Sequence, residues 1–434
     1  MPRLIYTILF YLLLPLVAVR LLWRARRAPA YAQRWGERFG LGPSLPSTER
    51  VIWVHAVSVG ETLAALPLIR ALQRDYPAAR LVVTTMTPTG SERVRAACGD
   101  SVHHVYAPYD LPGAVSRFLD RTHPDLAVIM ETELWPNVLS GCARRGIPVV
   151  LANARLSARS AAGYRRLAPL TRGMLADLSA VAAQTPADGR RFVDLGLPPE
   201  RLVITGNIKF DLEIDTARRQ RAAELARQWR DGSERPVWLV ASTHRGEDAI
   251  LLDAFAQVLE HHPRTLLVLV PRHPERFGEV AALAESRGYC VTRRSEGTAP
   301  DEHCQILLGD TMGELLDFFG ACDLAFVAGS LVEVGGHNLI EPAAWGVPVL
   351  SGPSLFNFTE VARLLAEADG LAICDDSEQI AAVVVRLLAD EESRRAMGER
   401  ARTVAEANRG AMARLLEVIA PMWAQSPVPG RARR

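Results

Sequence analysis

Residues 326–358 read FVAGSLVEVGGHNLIEPAAWGVPVLSGPSLFNF, a strand, a glycine turn, a short helix and a returning strand in immediate succession. The apolar run 324–328 predicts a strand ending at Gly329-Ser330. Gly335-Gly336 and His337-Asn338 then make the turn, Gly346 closes a brief helix, and 347–350 re-enters the sheet. Glycines let a backbone approach a ligand closely, and free amides at a helix start favour an anion such as a phosphate. Asn338 and Glu341 lie three apart, so both would face one side of that helix and could hydrogen-bond adjacent hydroxyls of one sugar. The pattern suggests a nucleotide-sugar pocket. An ordinary βαβ turn with a buried Glu as a capping device satisfies the same residues.

The alternation extends in both directions. Short β-branched or apolar runs at 51–54, 80–84, 102–106, 126–130, 149–152 and 180–183 are mostly separated by helical-period segments, and the series restarts at 237–241, 266–270, 304–308, 324–328, 347–350 and 371–374. Strands alternating with helices predict parallel, doubly wound sheets, and the restart predicts two of them. The polar segment 211–235 separates the two halves, with a linker near Asp231-Gly232-Ser233. The expected division is a membrane anchor over 1–23, a basic segment over 24–50, one α/β domain over 51–230, a second over 231–424, and a disordered tail over 425–434.

With Lys+Arg 50 against Asp+Glu 49, the 434 residues carry a formal charge of +1, which disfavours nucleic acid as a partner. The six cysteines show no CxxC pair or metal-ligand spacing and read as reduced core residues of a cytoplasmic protein. Residues 4–23 are almost wholly apolar, broken by Pro15 and Arg20, close to the ~20 residues a helix needs to cross hydrocarbon. Arg20, Arg24, Arg26, Arg27, Arg34 and Arg38 in or after this run place the body of the protein in the cytoplasm. A helix lying in the membrane interface fits the same run. A cleaved signal peptide fits it poorly, because Ala28-Pro29-Ala30 follows an arginine cluster. The arginines with Tyr31, Trp35 and Phe39 form a stretch suited to anionic headgroups.

The strand ends carry the candidate chemistry, since ligands of open α/β sheets bind outside the carboxyl ends of the strands. Glu61, in SVGE after the first strand, sits where a catalytic base belongs; it equally fits a carboxylate complementing a helix macrodipole. Glu131 and Glu133 follow the fourth strand, with Glu131 favoured for the crevice and Glu133 as its rival. Lys209, in GNIKFD, can put a positive charge where negative charge gathers. Neither the acids at 131 and 133 nor those at 211, 213 and 215 have the histidine or glycine loop of a metal cage. In the second half, Ser242, Thr243 and His244 suit a phosphate, and Pro271-Arg272-His273-Pro274 makes a rigid loop beside a base. Thr311, Met312, Gly313 and Glu314 open a helix. GxGxxG, GxxxxGK[ST] and GxSxG are absent, which argues against a dinucleotide fold, a P-loop and covalent serine hydrolysis.

Taken together, WVHAVSVGE, ETELWPN, GNIKFD, PRHPERF, GDTMGEL and GSLVEVGGHNLIEPAAWGVPVLSGP resemble the membrane-anchored 3-deoxy-D-manno-oct-2-ulosonic acid (Kdo) transferases of lipid A biosynthesis over nearly the whole chain. The resemblance implies a GT-B architecture of two Rossmann-like domains facing across a cleft. It also implies an inverting transfer of Kdo from CMP-Kdo to a lipid A precursor at the inner membrane, with no metal and no cofactor. By the same likeness Glu61 is the general base, and Glu131 and Lys209 stabilise the transition state. CMP would rest on Pro271, Arg272, Met312, Gly313, Glu314 and the run Asn338, Leu339, Ile340 and Glu341. A sugar-nucleotide epimerase of the same architecture and a nucleotide-sugar-binding scaffold are the alternatives.

Overall fold

The computed structural model describes residues 1–46, 48–230 and 232–425. Asp231 of the expected linker, and the expected tail beyond Gln425, lie outside them.

The first sheet is built of β1 (Arg50–His55), β2 (Ala79–Thr85), β3 (His103–Tyr106), β4 (Leu126–Met130), β5 (Val149–Ala154), β6 (Ala180–Ala183) and β7 (Leu202–Ile204). All its pairs are parallel, in the order β3-β2-β1-β4-β5-β6-β7. Helices cover both faces, so the central strands are buried throughout and read as unbroken apolar runs. Trp53, 1% exposed, fills one face and donates its indole N–H to Thr84 Oγ1 at 2.8 Å, which satisfies the one polar atom it buries.

The second sheet contains β8 (Val237–Thr243), β9 (Leu266–Pro271), β10 (Val291–Arg293), β11 (Ile306–Leu308), β12 (Leu324–Val327), β13 (Val349–Ser351) and β14 (Leu371–Ile373). It is again all parallel, ordered β10-β11-β9-β8-β12-β13-β14. β10 was not expected from the sequence. It is a short edge strand with no fully buried residue, so it lacks the apolar run that marks the others. The helix in the opening stretch forms over Ile340–Trp345 and ends on Gly346 at φ 73°, as its glycine signalled.

The described residues separate into two compact units, one of residues up to 211 together with 409–425, the other within 212–408. This differs from the expected boundary at 230/231 and from a second domain running to 424. The helix Thr216–Arg230 belongs to the second unit: Trp229 packs edge-on against Phe318, Arg218 and Arg221 pair with Asp317, and Arg230 pairs with Asp323. The closing helix Ala411–Gln425 belongs to the first, where Leu415, Ile419 and Trp423 join Ile52, Val54, Val128 and Val150 in one core. The Asp211 carboxylate accepts from the Gly410 and Met412 amides at its start.

The amino-terminal helix Pro2–Arg27 lays Phe10, Leu14, Val17 and Leu21 against Tyr109, Leu111 and Ala114. Beyond it, two of the arginines expected at a lipid surface turn inward. Arg34 pairs with Glu37 and donates to the His104 carbonyl, and Arg38, 1% exposed, lies over the Tyr106 ring and donates to the Met86 carbonyl.

Two glycines of the second unit make opposite demands. A Cβ on Gly398, inside the helix Glu391–Ala407, would meet the Gly346 carbonyl oxygen at 2.0 Å, so Gly398→Ala should destabilise that unit by about 1–3 kcal/mol. Gly278 in the helix Phe277–Ser286 has open space around it, and Gly278→Ala should stabilise by about 0.5–1 kcal/mol. Calorimetry of the two variants should move the unfolding of this unit in opposite directions.

Candidate active site

In a doubly wound sheet the crevice opens where successive strands depart to opposite sides, here between β1 and β4 and again between β8 and β12. At the first point, Ser58 caps the helix Val59–Asp75 by accepting from the Glu61 amide at 3.2 Å. Glu61 answers in the manner of a capping box: one carboxylate oxygen accepts from the Val57 amide and the other from the Ser58 hydroxyl, each at 2.8 Å. The side chain is nonetheless more than a cap. Burial pushes its pKa up to about 7; the charges of Glu133 and Glu131 add to the rise and the two hydrogen bonds oppose it.

Glu131 takes a left-handed backbone, φ 53°, immediately after β4, so strand alternation ends there. The sequence favoured Glu131 for the crevice over Glu133. In the structure both bear electrostatically on Glu61. Glu131 accepts from Lys209 Nζ at 3.1 Å, while Glu133 accepts from Trp135 Nε1 at 2.8 Å and is itself held above the usual carboxylate range by burial. Lys209 reaches Glu131 because fully buried Asn153, at φ 53° in β5, accepts from the Ile208 amide at 3.1 Å and fixes the turn Ile208–Asp211. The constellation joins a carboxyl group titrating near neutrality to a carboxylate already balanced by a lysine. Such a pair can take a proton from a hydroxyl while the lysine steadies negative charge.

At the second point the resident residue is one the sequence reading passed over. Glu247, 0% exposed, accepts from the amides of His244 at 2.9 Å, Gly329 at 2.8 Å, and Ser330 and Leu331 at 3.0 Å each. The amides after β12 that were expected to hold an anion are thus taken by an internal carboxylate. Its signal was faint: an acid opening the helix Glu247–His261 after a strand, with partners more than eighty residues away in sequence.

The other expected contacts divide into engaged and open. Thr243 is fully buried and donates to Asp248 at 2.6 Å, which also pairs with Arg276. Ser242 sits at φ 64° where the pairing of β8 with β9 is irregular, a strained backbone of the kind that collects at functional sites. The His244 and His337 rings stack with Nε2 atoms 2.9 Å apart, and His273 stands edge-on to His244. Burial, with Arg272 and the neighbouring imidazoles, pushes His337 down to about 3, so it is neutral at physiological pH. Arg272 makes no ion pair among the described residues.

Asn338 donates to Glu341 at 3.0 Å, so the two residues expected to share a sugar share a hydrogen bond. Burial pushes the Glu341 pKa up, against the pull of Asn338, Arg272 and Arg218. Leu339 and Ile340 are fully buried and can offer a ligand only backbone. Glu314 is gripped by Arg294 at 2.7 Å and by Thr311; Met312 is exposed, and Gly313 at φ 95° borders open space. Gly335 and Gly336 serve packing: a Cβ there would meet Phe356 or Leu355 at 2.5 Å. Pro271 closes β9. The acids at 211 and 215 cap backbone amides, and no group of three His, Cys, Asp or Glu among the described residues is set to hold a metal ion.

Replacing Glu247 by Ala strands four backbone donors, at about 1–3 kcal/mol for each that finds no water. We expect Glu247→Ala to lower the unfolding temperature of the second unit and to speed hydrogen exchange at Gly329, Ser330 and Leu331 selectively.

Residues 33–212 match the family model described as 3-deoxy-D-manno-octulosonic-acid transferase (kdotransferase), and residues 247–404 match glycosyl transferases group 1. The chain is 44% identical to a 3-deoxy-D-manno-octulosonic acid transferase of Haemophilus influenzae, over 97% of this chain and 99% of that one. It is 39% identical to the enzyme of the same name from Bordetella pertussis, over 96% and 99%. Among solved structures, UDP-GlcNAc 2-epimerase from Neisseria meningitidis shares the fold, with a TM-score of 0.60 at 16% identity over 86% of this chain and 100% of that one. A two-domain α/β chain of GT-B type, alike in sequence to these transferases from end to end, belongs to the 3-deoxy-D-manno-octulosonic acid transferase family of glycosyltransferases.

Proposed function

We propose that the enzyme transfers Kdo from CMP-Kdo to a lipid A precursor by a single displacement with inversion, and that Glu61 is its general base. The observation that carries this reading is the Glu61 carboxyl, held at a pKa of about 7 at the carboxyl end of β1 beside Glu131 and Lys209. A base poised near the working pH combines a useful deprotonated fraction with real proton affinity. Glu61 removes the proton of the acceptor hydroxyl as the oxygen attacks the anomeric carbon. The Lys209 ammonium, positioned by Glu131, stabilises negative charge as the reacting centre passes through an oxocarbenium-like state.

CMP is held by the second domain. Arg272 and the Pro271 loop support the base and phosphate, the exposed Met312-Gly313 turn borders the nucleotide, and Glu341, oriented by Asn338, binds the ribose. Ser242 and His244 flank the phosphate; Thr243 supports them from beneath through Asp248. Positive side chains and backbone dipoles stabilise the departing phosphate. The acceptor resides on the cytoplasmic side of the inner membrane, to which the apolar amino-terminal helix holds the enzyme.

Incubation of the full-length protein with enzymatically generated CMP-Kdo and a tetraacylated lipid A precursor in EDTA, read by mass spectrometry, should give mass gains in Kdo units whose number counts the transfers. Glu61→Ala should lower the rate by about 10²–10⁴-fold. No mass gain with a competent donor supply would overturn the transferase reading.

The pH profile tests the base separately. Because the base must be ionised, kcat/KM should fall below pH about 7. Glu133→Gln removes a negative neighbour, so the Glu61 pKa falls and this limb should move to lower pH. An unmoved limb would assign it to another group.

A further inference from the structure

The helix Pro2–Arg27 is long enough to cross a bilayer and is mostly exposed, yet one stripe of it packs against the first domain. Phe10, Leu14, Val17 and Leu21 recur at alternating intervals of four and three, the spacing of a seam, and pack against Tyr109, Leu111 and Ala114 of the first domain. Tyr6 and Thr7 in its first turns point the same way: Thr7 is buried against Asn137 at 3.2 Å, and the Tyr6 hydroxyl hydrogen-bonds Asp110. From Thr7 to Leu21 this contact runs about 21 Å along the helix axis. Were the helix to span some 30 Å of hydrocarbon, Asp110 and Asn137 would be drawn into the far leaflet with it. Those residues cap and open the helix Pro136–Arg144, whose remaining surface carries Arg144 and is followed by Arg145.

The opposite face is inverted relative to a soluble helix. Leu12 is 70% exposed and Leu16 66%, in a continuous apolar strip from Leu4 to Trp23 far larger than monomers leave to water. A second feature shows what covers it. The helix Ala168–Ala176 packs against the amino-terminal helix and continues from the helix Ala158–Arg166. Across 158–176 the sequence holds four arginines, Arg159, Arg165, Arg166 and Arg172, and no acidic residue. All four are exposed and none makes an ion pair among the described residues. An apolar strip with exposed cations on the helix packed against it and on the helix preceding that one is complementary to a leaflet with anionic headgroups, not to a second copy of the same cationic face.

We infer that the enzyme is monotopic: the amino-terminal helix lies in the plane of one leaflet, docked along its length on the first domain, and the arginines of 158–176 bind the headgroups beside it. The inference rests on the helix contacts and charge, independently of the reaction. Two measurements test it. A short hydrophilic amino-terminal extension carrying one cysteine, placed on the full chain, should react with a membrane-impermeant maleimide in spheroplasts only after lysis. Exposed Cys290 of the same chain provides the control for lysis. Labelling of the extension in intact spheroplasts would place that end across the membrane and overturn the inference.

In flotation, the purified full-length protein should bind vesicles of phosphatidylcholine with phosphatidylglycerol at least tenfold more tightly than phosphatidylcholine alone. The variant with Arg159, Arg165, Arg166 and Arg172 all changed to Ala should lose that preference, with unchanged circular dichroism. An unchanged preference would remove the arginines from the proposal. Failure of the native protein to float with either vesicle, while running as a dimer, would assign the apolar strip to a second copy and overturn the whole.

Discussion

Carboxylates that accept from backbone amides tie together, in both sheets, the strand pair where the winding reverses. Asp125, the residue before β4, accepts from the Val51 amide in β1 at 2.9 Å; Asp323, the residue before β12, accepts from the Val237 amide that opens β8 at 2.7 Å. The two domains thus use one device at the amino ends of equivalent strand pairs. A parallel sheet leaves unpaired amides where a strand begins beside a neighbour that starts elsewhere, and a short acid satisfies them without adding a loop.

At the carboxyl ends the same repetition yields opposite results. Glu61 and Glu247 both occupy the start of the helix that follows the first strand of their domain, and both reach back to an amide just before it, Val57 in one case and His244 in the other. Glu247 goes on to collect three more amides beyond β12 and is fully committed to holding that loop. Glu61 gains only the Ser58 hydroxyl and faces two further acids, which leaves its proton affinity raised. The difference lies in what the neighbouring strand presents: main-chain N–H groups at Gly329–Leu331, carboxylates at Glu131 and Glu133.

This contrast marks how far the sequence could be read. Strands such as β1, β4, β8 and β9 were visible because burial on both faces demands unbroken apolar runs, and Glu61 was visible because a strand end followed by a helix start has a local signature. Glu247 was not, since its partners are set by the pairing of β8 with β12, which no local pattern encodes. Asn153, with its left-handed backbone, likewise fixes the turn that carries Lys209 to Glu131, which strand alternation cannot foresee. The allegiance of the helices Thr216–Arg230 and Ala411–Gln425 escaped notice because an apolar helix face does not name the sheet it covers.

That closing helix imposes an order on synthesis. The strands of the first sheet are made before residues 212–408, whereas Leu415, Ile419 and Trp423, which seal the first core over Ile52, Val54, Val128 and Val150, are made after them. The second domain, contained within 212–408, has its whole core available earlier. The second domain can therefore be folded before the domain bearing the candidate base is complete. Translation must pass the whole of the second domain before a complete first domain exists.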